Sequence, residues 1–344
     1  MKVRVGVNGF GTIGKRVADA VARQPDMELI GVAKTRPGFE ARRAVERGYP
    51  IYIAGGGSPE KFAAAGLPVA GRLADLLGKV DVVVDATPED VGRENRALYQ
   101  AAGIRAVFQG GKEPDVAEAS FNALANYETG RGKRSLRVVS CNTTGLARAA
   151  AVLLPRWGVA RWDVTLVRRA ADPGESKRGP VDGIMPTMEM PSHHGPDVRT
   201  IYPDLPIATA AVVVPTTLMH VHVNHVRLAH PPSGTAELLG AFRSTPRFHV
   251  FAGWEGVDGT PQVMEFARDR AGHGNRSTSD MPENVLWERG ARLDGSDAYF
   301  FQAIHQESVV VPENIDAIRA MFDLAKDKDA SIALTDRTLG IAPG

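Results

Sequence analysis

An α/β fold is predicted by three observations. Short apolar runs alternate with segments of helical period through the first 140 residues, a glycine trio stands at the first strand-to-helix junction, and longer strand-like runs take over after about residue 160. The first pattern implies a parallel sheet whose connections are helices, and the last implies a separate α+β domain.

Val3, Val5 and Val7 alternate as in a strand. Gly9-Phe10-Gly11-Thr12-Ile13-Gly14 follows and leads into a helix bearing Val17, Ala18, Val21 and Ala22; Met27 to Ala33 reads as the second strand. Between a strand and a helix, Gly9, Gly11 and Gly14 let the backbone turn tightly and approach a pyrophosphate, whose charge rests on the helix N-terminus. The segment therefore predicts a Rossmann-type dinucleotide-binding domain. An NAD-specific site would normally present an acid to the ribose hydroxyls at the end of the second strand, where this chain has Ala33-Lys34-Thr35-Arg36. Lys34, with Thr35 and Arg36, suits a 2′-phosphate, so NADP is expected, with NAD also accepted.

Val80 to Pro88 reads as a buried parallel strand, Val91 to Ala102 as a helix, and Ile104 to Gln109 as a strand closing on Gly110-Gly111. Leu136 to Val139 is the next strand. Directly after Ser140 stands Cys141, the only cysteine in 344 residues, and Leu146, Ala149, Ala150, Leu153 and Leu154 then recur at helical spacing. A thiol at a helix N-terminus meets unpaired N–H groups and the positive end of the helix dipole, so its pKa is expected to fall, as a nucleophile requires.

Beyond this helix, Trp162 to Arg168, Thr209 to Val214 and Ala298 to Ile304 are strand-like, and from Pro312 onward Ile315, Ile318, Phe322 and Ala325 are spaced for a helix. The expected division is residues 1–140 with 303–344 as the dinucleotide-binding domain and 141–302 as the catalytic domain. A thiol nucleophile needs a base, and the candidates among nine histidines are His193-His194 and the group His220, His222 and His225. In a strand His220 and His222 would share a face, but companion cysteines are missing and no metal site is expected. Arg168-Arg169 and Lys177-Arg178 offer local positive charge for phosphate groups.

Composition narrows the partners. The 41 basic residues nearly balance 40 acidic ones, which argues against nucleic acid or a membrane surface. No apolar run approaches the ~20 residues needed to span a bilayer, and the start of the chain runs straight into a strand, so a cytoplasmic protein is expected.

With these residues assembled, the chain closely resembles archaeal-type (class II) glyceraldehyde-3-phosphate dehydrogenase. The likeness runs through Val7 to Ala18, Phe108-Gln109-Gly110-Gly111, Val138-Val139-Ser140-Cys141-Asn142-Thr143-Thr144 and Val167-Arg168-Arg169-Ala170-Ala171-Asp172. It continues through Pro191-Ser192-His193-His194, Pro215 to His220 and His305 to Asn314. The resemblance implies Cys141 as nucleophile and His220 as general base. It further implies cofactor contacts at Thr12, Ile13, Gly111, Arg169 and Gln306, and sugar-phosphate contacts at Ser140, Cys141, Asn142, His193 and His194. The implied reaction converts D-glyceraldehyde 3-phosphate and inorganic phosphate to 1,3-bisphosphoglycerate through a cysteine thioester, with NADP or NAD, in a homotetramer.

Gly145, where a stronger helix former would suit, is expected to mark close packing. The competing readings are a phosphorylating dehydrogenase of another aldehyde and a non-enzymatic nucleotide-binding redox sensor.

Overall fold

The computed structural model describes residues 2–170, 179 and 182–341, with only the backbone of Glu89. The chain divides into two compact units, Met1–Ser140 with Val311–Thr338, and Cys141–Val310 with Leu339–Gly344.

The first unit contains an eight-stranded, all-parallel sheet: β1 (Val3–Asn8), β2 (Met27–Lys34), β3 (Ile51–Ile53), β4 (Gly71–Arg72), β5 (Val82–Asp85), β6 (Arg105–Gln109), β7 (Ala119–Phe121) and β8 (Ser135–Val138). Their order is β4-β3-β2-β1-β5-β6-β8-β7. The chain works outward from β1 to β4, then restarts on the other side of β1 with β5. That reversal opens a crevice at the carboxyl ends of β1 and β5, the usual ligand position in such sheets.

Val5, Val7, Val82, Val84 and Val107 are fully buried, as expected when helices cover both faces of a parallel sheet. The returning helix Val311–Met321 packs against the first helix, Thr12–Ala22. It is pinned by Ala123 N–H donating to Glu313 (2.6 Å), Asn314 Nδ2 donating to Gln109 Oε1 (2.5 Å), and Arg319 gripping both oxygens of Asp26 (2.8 and 3.0 Å). The short strands β3, β4 and β7 have no counterpart in the sequence reading, because two or three residues carry no readable period.

The second unit contains a seven-stranded mixed sheet: β9 (Val159–Arg169), β10 (Met185–Pro186), β11 (Ile207–Val214), β12 (His220–Leu228), β13 (Phe248–Phe251), β14 (Asn284–Asp294) and β15 (Asp297–Ile304), in the order β10-β11-β9-β12-β15-β14-β13. The 17-residue helix Cys141–Trp157 packs on β9, β12 and β15. Its approach to β15 depends on Gly145, where a Cβ would lie 2.9 Å from Ile304 Cγ1 and closer still to Cδ1.

The return to the first unit begins later than residue 303. Ala303 and Ile304 pair with Val221 and His220, so β15 finishes in the second sheet, and the crossing falls at Val311.

Candidate active site

In the first unit, Gly9 has φ +96°, and a Cβ there would lie 2.8 Å from the Ala86 carbonyl group. Only glycine combines that conformation with that approach. Gly14 packs so tightly on the Gly9 carbonyl group that a Cβ would lie 2.9 Å from its carbon. Gly11 differs: a Cβ there would meet nothing within 4 Å, leaving the approach to the helix N-terminus open. Among the described residues no side chain caps that helix, and no acid lies in its first turn, where Thr12 and Ile13 begin it. A pyrophosphate fits this cradle, because free N–H groups and the helix dipole both favour an anion.

The Gly110-Gly111 turn borders the same sheet end. Buried Lys112 fixes it, donating from Nζ to the carbonyls of Thr87 (2.8 Å) and Gln109 (3.0 Å) and lying 3.3 Å from Asp85 Oδ1. Lys34, at the end of β2, is not an unpaired cation. Its Nζ lies 2.6 Å from Glu40 Oε2 and 3.2 Å from the Phe10 carbonyl. The carboxylate missing from the end of β2 thus enters from the first turn of the helix Phe39–Glu46. The sequence reading overlooked Glu40, which stands six residues after Lys34 in an amphipathic helix.

In the second unit, Cys141 opens the helix Cys141–Trp157 and is half-buried. The expected fall in its pKa does not occur: burial pushes the thiol up, outweighing Arg169, Arg168 and the backbone N–H groups of Asn142 and Cys141 itself, which all favour the thiolate. Desolvation acts against the whole charge, whereas the helix terminus offers only partial charges. Arg168 Nε is buried with no hydrogen-bond partner among the described residues.

Along β12 burial alternates, so His220, His222 and Asn224 face the helix while His225 lies on the opposite face, bonded to Asp297 (2.8 Å) and stacked on Tyr299. His220 Nδ1 accepts the backbone N–H of Arg169 (3.1 Å), which places the proton of the neutral ring on Nε2. Burial, His222 and the two arginines hold its pKa well below the usual histidine range.

Gln306 braces the turn before His220. Its Oε1 accepts from Met219 N–H (2.9 Å) and its Nε2 donates to the Thr217 carbonyl (3.0 Å), holding Met219 at φ +66°, a strained value for a residue with a Cβ. His194 is buried, and its Nδ1 meets Ser192 Oγ at 3.1 Å; His193 stacks on it at 4.0 Å and is exposed. Asn142 Oδ1 lies 2.9 Å from His222 Nε2. Lys177 and Arg178 lie outside the described residues. Among the described residues, no group of three or more His, Cys, Asp or Glu is placed to hold a metal ion.

Residues 140–273 match the family model for the C-terminal domain of glyceraldehyde 3-phosphate dehydrogenase, and residues 3–111 match that for the N-terminus of dihydrodipicolinate reductase. The whole chain is 51% identical over 344 residues to a glyceraldehyde-3-phosphate dehydrogenase of Hyperthermus butylicus, covering 100% of this chain and 98% of that protein. The chain belongs to the glyceraldehyde-3-phosphate dehydrogenase family. Enzymes of that name from Archaeoglobus fulgidus and Pyrococcus abyssi are 50% and 51% identical, each over 99% of this chain and 98% and 99% of their own. The first unit, with its open glycine cradle, is accordingly the nicotinamide-nucleotide half of a family member.

Proposed function

We propose that this protein oxidises D-glyceraldehyde 3-phosphate to 1,3-bisphosphoglycerate, reversibly and with inorganic phosphate, using NADP or NAD. The observation that carries this reading is that Cys141 and His220 each lie in the field of Arg168 and Arg169, in a chain half-identical over its length to enzymes of that name.

The sulfur of Cys141 adds to the aldehyde carbon as the carbonyl π bond breaks, and the proton it gives up ends on the former carbonyl oxygen, forming a thiohemiacetal. His220 first hydrogen-bonds the new oxygen through Nε2–H. To take up the hydroxyl proton as the thioester forms, its ring must exchange tautomers and release the Arg169 N–H. Gly9, Gly11 and Gly14 would hold the dinucleotide, whose nicotinamide would supply the acceptor for the hydride lost from the thiohemiacetal carbon. Phosphate then attacks the thioester carbonyl, forming the acyl phosphate and returning Cys141 as thiolate.

Arg168 and Arg169 supply charge for the phosphate groups, while Ser140, Asn142, His193 and His194 hold the sugar phosphate. Gly9, Gly11, Thr12, Ile13, Gly14, Lys34, Gly111, Arg169 and Gln306 serve the cofactor. Residues 1–140 with the returning C-terminal segment carry the dinucleotide, and the segment beginning at Cys141 carries the chemistry. Lys34 supports NADP by reaching a 2′-phosphate, and Glu40 supports NAD by accepting from ribose hydroxyls.

The protein acts as a cytoplasmic homotetramer. Assembly is supported by a sheet face on which Val223, Tyr299 and Phe301 are 39%, 43% and 44% exposed. No described helix is long and apolar enough to cross a membrane.

The test is the initial rate of NAD(P)H formation from the aldehyde, with and without phosphate, for wild type and Cys141→Ser. Phosphate-dependent turnover that disappears in the variant is expected. A well-folded wild type that binds nucleotide but does not turn over this aldehyde would refute the reading.

A further inference from the structure

A chain of buried polar side chains runs through the second unit and ends beside the nucleophile, and the polarity of every link can be deduced. Two groups at its far end are unambiguous: the Arg148 guanidinium only donates, and the Gly145 carbonyl only accepts. Arg148 Nη1 donates to Asn284 Oδ1 (3.3 Å), and Asn284 Nδ2 donates to the Gly145 carbonyl (2.9 Å), which fixes the Asn284 amide. Asn284 Nδ2 also donates to Gln302 Oε1 (3.1 Å), so Gln302 must present its NH2 at the other end, 3.2 Å from His222 Nδ1.

An amide NH2 cannot accept. The Nδ1 lone pair of His222 is therefore occupied, and the neutral ring carries its proton on Nε2. That proton is donated over 2.9 Å to Asn142 Oδ1, which turns the Asn142 amide nitrogen the other way. His222, Gln302, Asn284 and Arg148 have no exposed surface, and burial pushes His222 down to about 3, so this tautomer is the working state at neutral pH. Asn142 is 3% exposed, and its Nδ2 has no acceptor among the described residues.

We propose that His222, locked in the Nε2–H tautomer by Gln302, is a positioning residue for the reaction: it turns Asn142 so that Nδ2–H, and not Oδ1, faces the substrate oxygen on the carbon bonded to Cys141. This rests on the functional reading above. Reversing the tautomer would present a carbonyl oxygen to a developing oxyanion, which turns an attractive contact into a repulsive one.

The experiment uses the full chain with ¹⁵N-labelled histidine, assigning the His222 resonances by their loss in His222→Gln. Wild type is expected to show a protonated Nε2 and an unprotonated Nδ1, unchanged from pH 6 to 8. Gln302→Glu keeps an acceptor for Asn284 but removes the donor to Nδ1, so the signature should move to Nδ1–H. In that variant kcat should fall about 10- to 100-fold, the usual scale for a misplaced catalytic contact. Alkylation of Cys141 by iodoacetamide should change by less than about twofold, since the thiol's own charges remain.

His222→Leu should lose a similar factor in kcat. His222→Gln, which can donate to Asn142 and accept from Gln302, should recover most of it. A wild-type Nδ1–H or imidazolium signature, a folded His222→Leu with kcat within about threefold of wild type, or a His222→Gln as impaired as His222→Leu would each overturn the proposal. A wild type with the expected signature but no turnover of D-glyceraldehyde 3-phosphate would overturn the functional reading, and the catalytic role of His222 with it.

Discussion

Replacing Glu40 by Gln should shift cofactor preference toward NADP. In the free protein Lys34 is held 2.6 Å from Glu40, and the two side chains are only 19% and 23% exposed. A 2′-phosphate that reaches Lys34 must share the ammonium with that carboxylate, which places the two anions about 5 Å apart, or two N–O spans. Coulomb's law then gives a repulsion of about 3 kcal/mol at an effective dielectric constant of 20 and about 0.8 kcal/mol in water. For a mostly shielded but not dry site, about 1–2 kcal/mol is the working value, or roughly a 5- to 30-fold tighter Kd for NADP in Glu40→Gln.

NAD brings no phosphate to this position, so its Kd should stay level or weaken by about threefold through a lost ribose acceptor. Titration calorimetry of both dinucleotides at low and moderate salt reads both numbers, with Lys34→Met as the control that should weaken NADP. An NADP Kd that is unchanged or weaker in a folded Glu40→Gln would refute the argument, since it would mean that the phosphate never competes for Lys34.

Two further expectations concern the thiol and its helix. Because burial raises the Cys141 pKa in the free protein, kcat/KM and the alkylation rate without ligands should still climb with pH at 9, since each step upward makes more thiolate; a plateau below pH 8 would show that the arginines and the helix terminus win instead. Gly145→Ala should lower stability by about 1–2 kcal/mol in denaturant titration despite better helix propensity, because overpacking against Ile304 outweighs a gain of at most about 1 kcal/mol; a rise in the midpoint would mean that β15 yields easily.

Much of this protein was legible without coordinates. Alternating valines, the glycine trio and the helical spacing after Cys141 are local patterns, and local patterns decide strand, turn and helix wherever an element is long enough to show a period. Gly9 and Gly14 were readable for the same reason, since a backbone that must turn sharply or pack on itself excludes a Cβ. The two- and three-residue strands β3, β4 and β7 were not, because their existence depends on a neighbouring strand's hydrogen bonds.

The site divides along the same line. Sequence identified Cys141 at a helix start and two groups of histidines, since residue type and position are local facts. It could not decide the sign of the thiol's pKa shift, because a helix terminus is encoded nearby whereas desolvation comes from every segment packed around the sulfur. Residue type and spacing alone could not tell His220 from His222, which only the family resemblance separated. Both sit on one face of β12, and what separates them is their partners: the Arg169 amide for His220, and Gln302 with Asn142, each 80 residues away along the chain, for His222. A tautomer is set by whichever donor the fold brings to the ring, and only the tertiary structure chooses that donor.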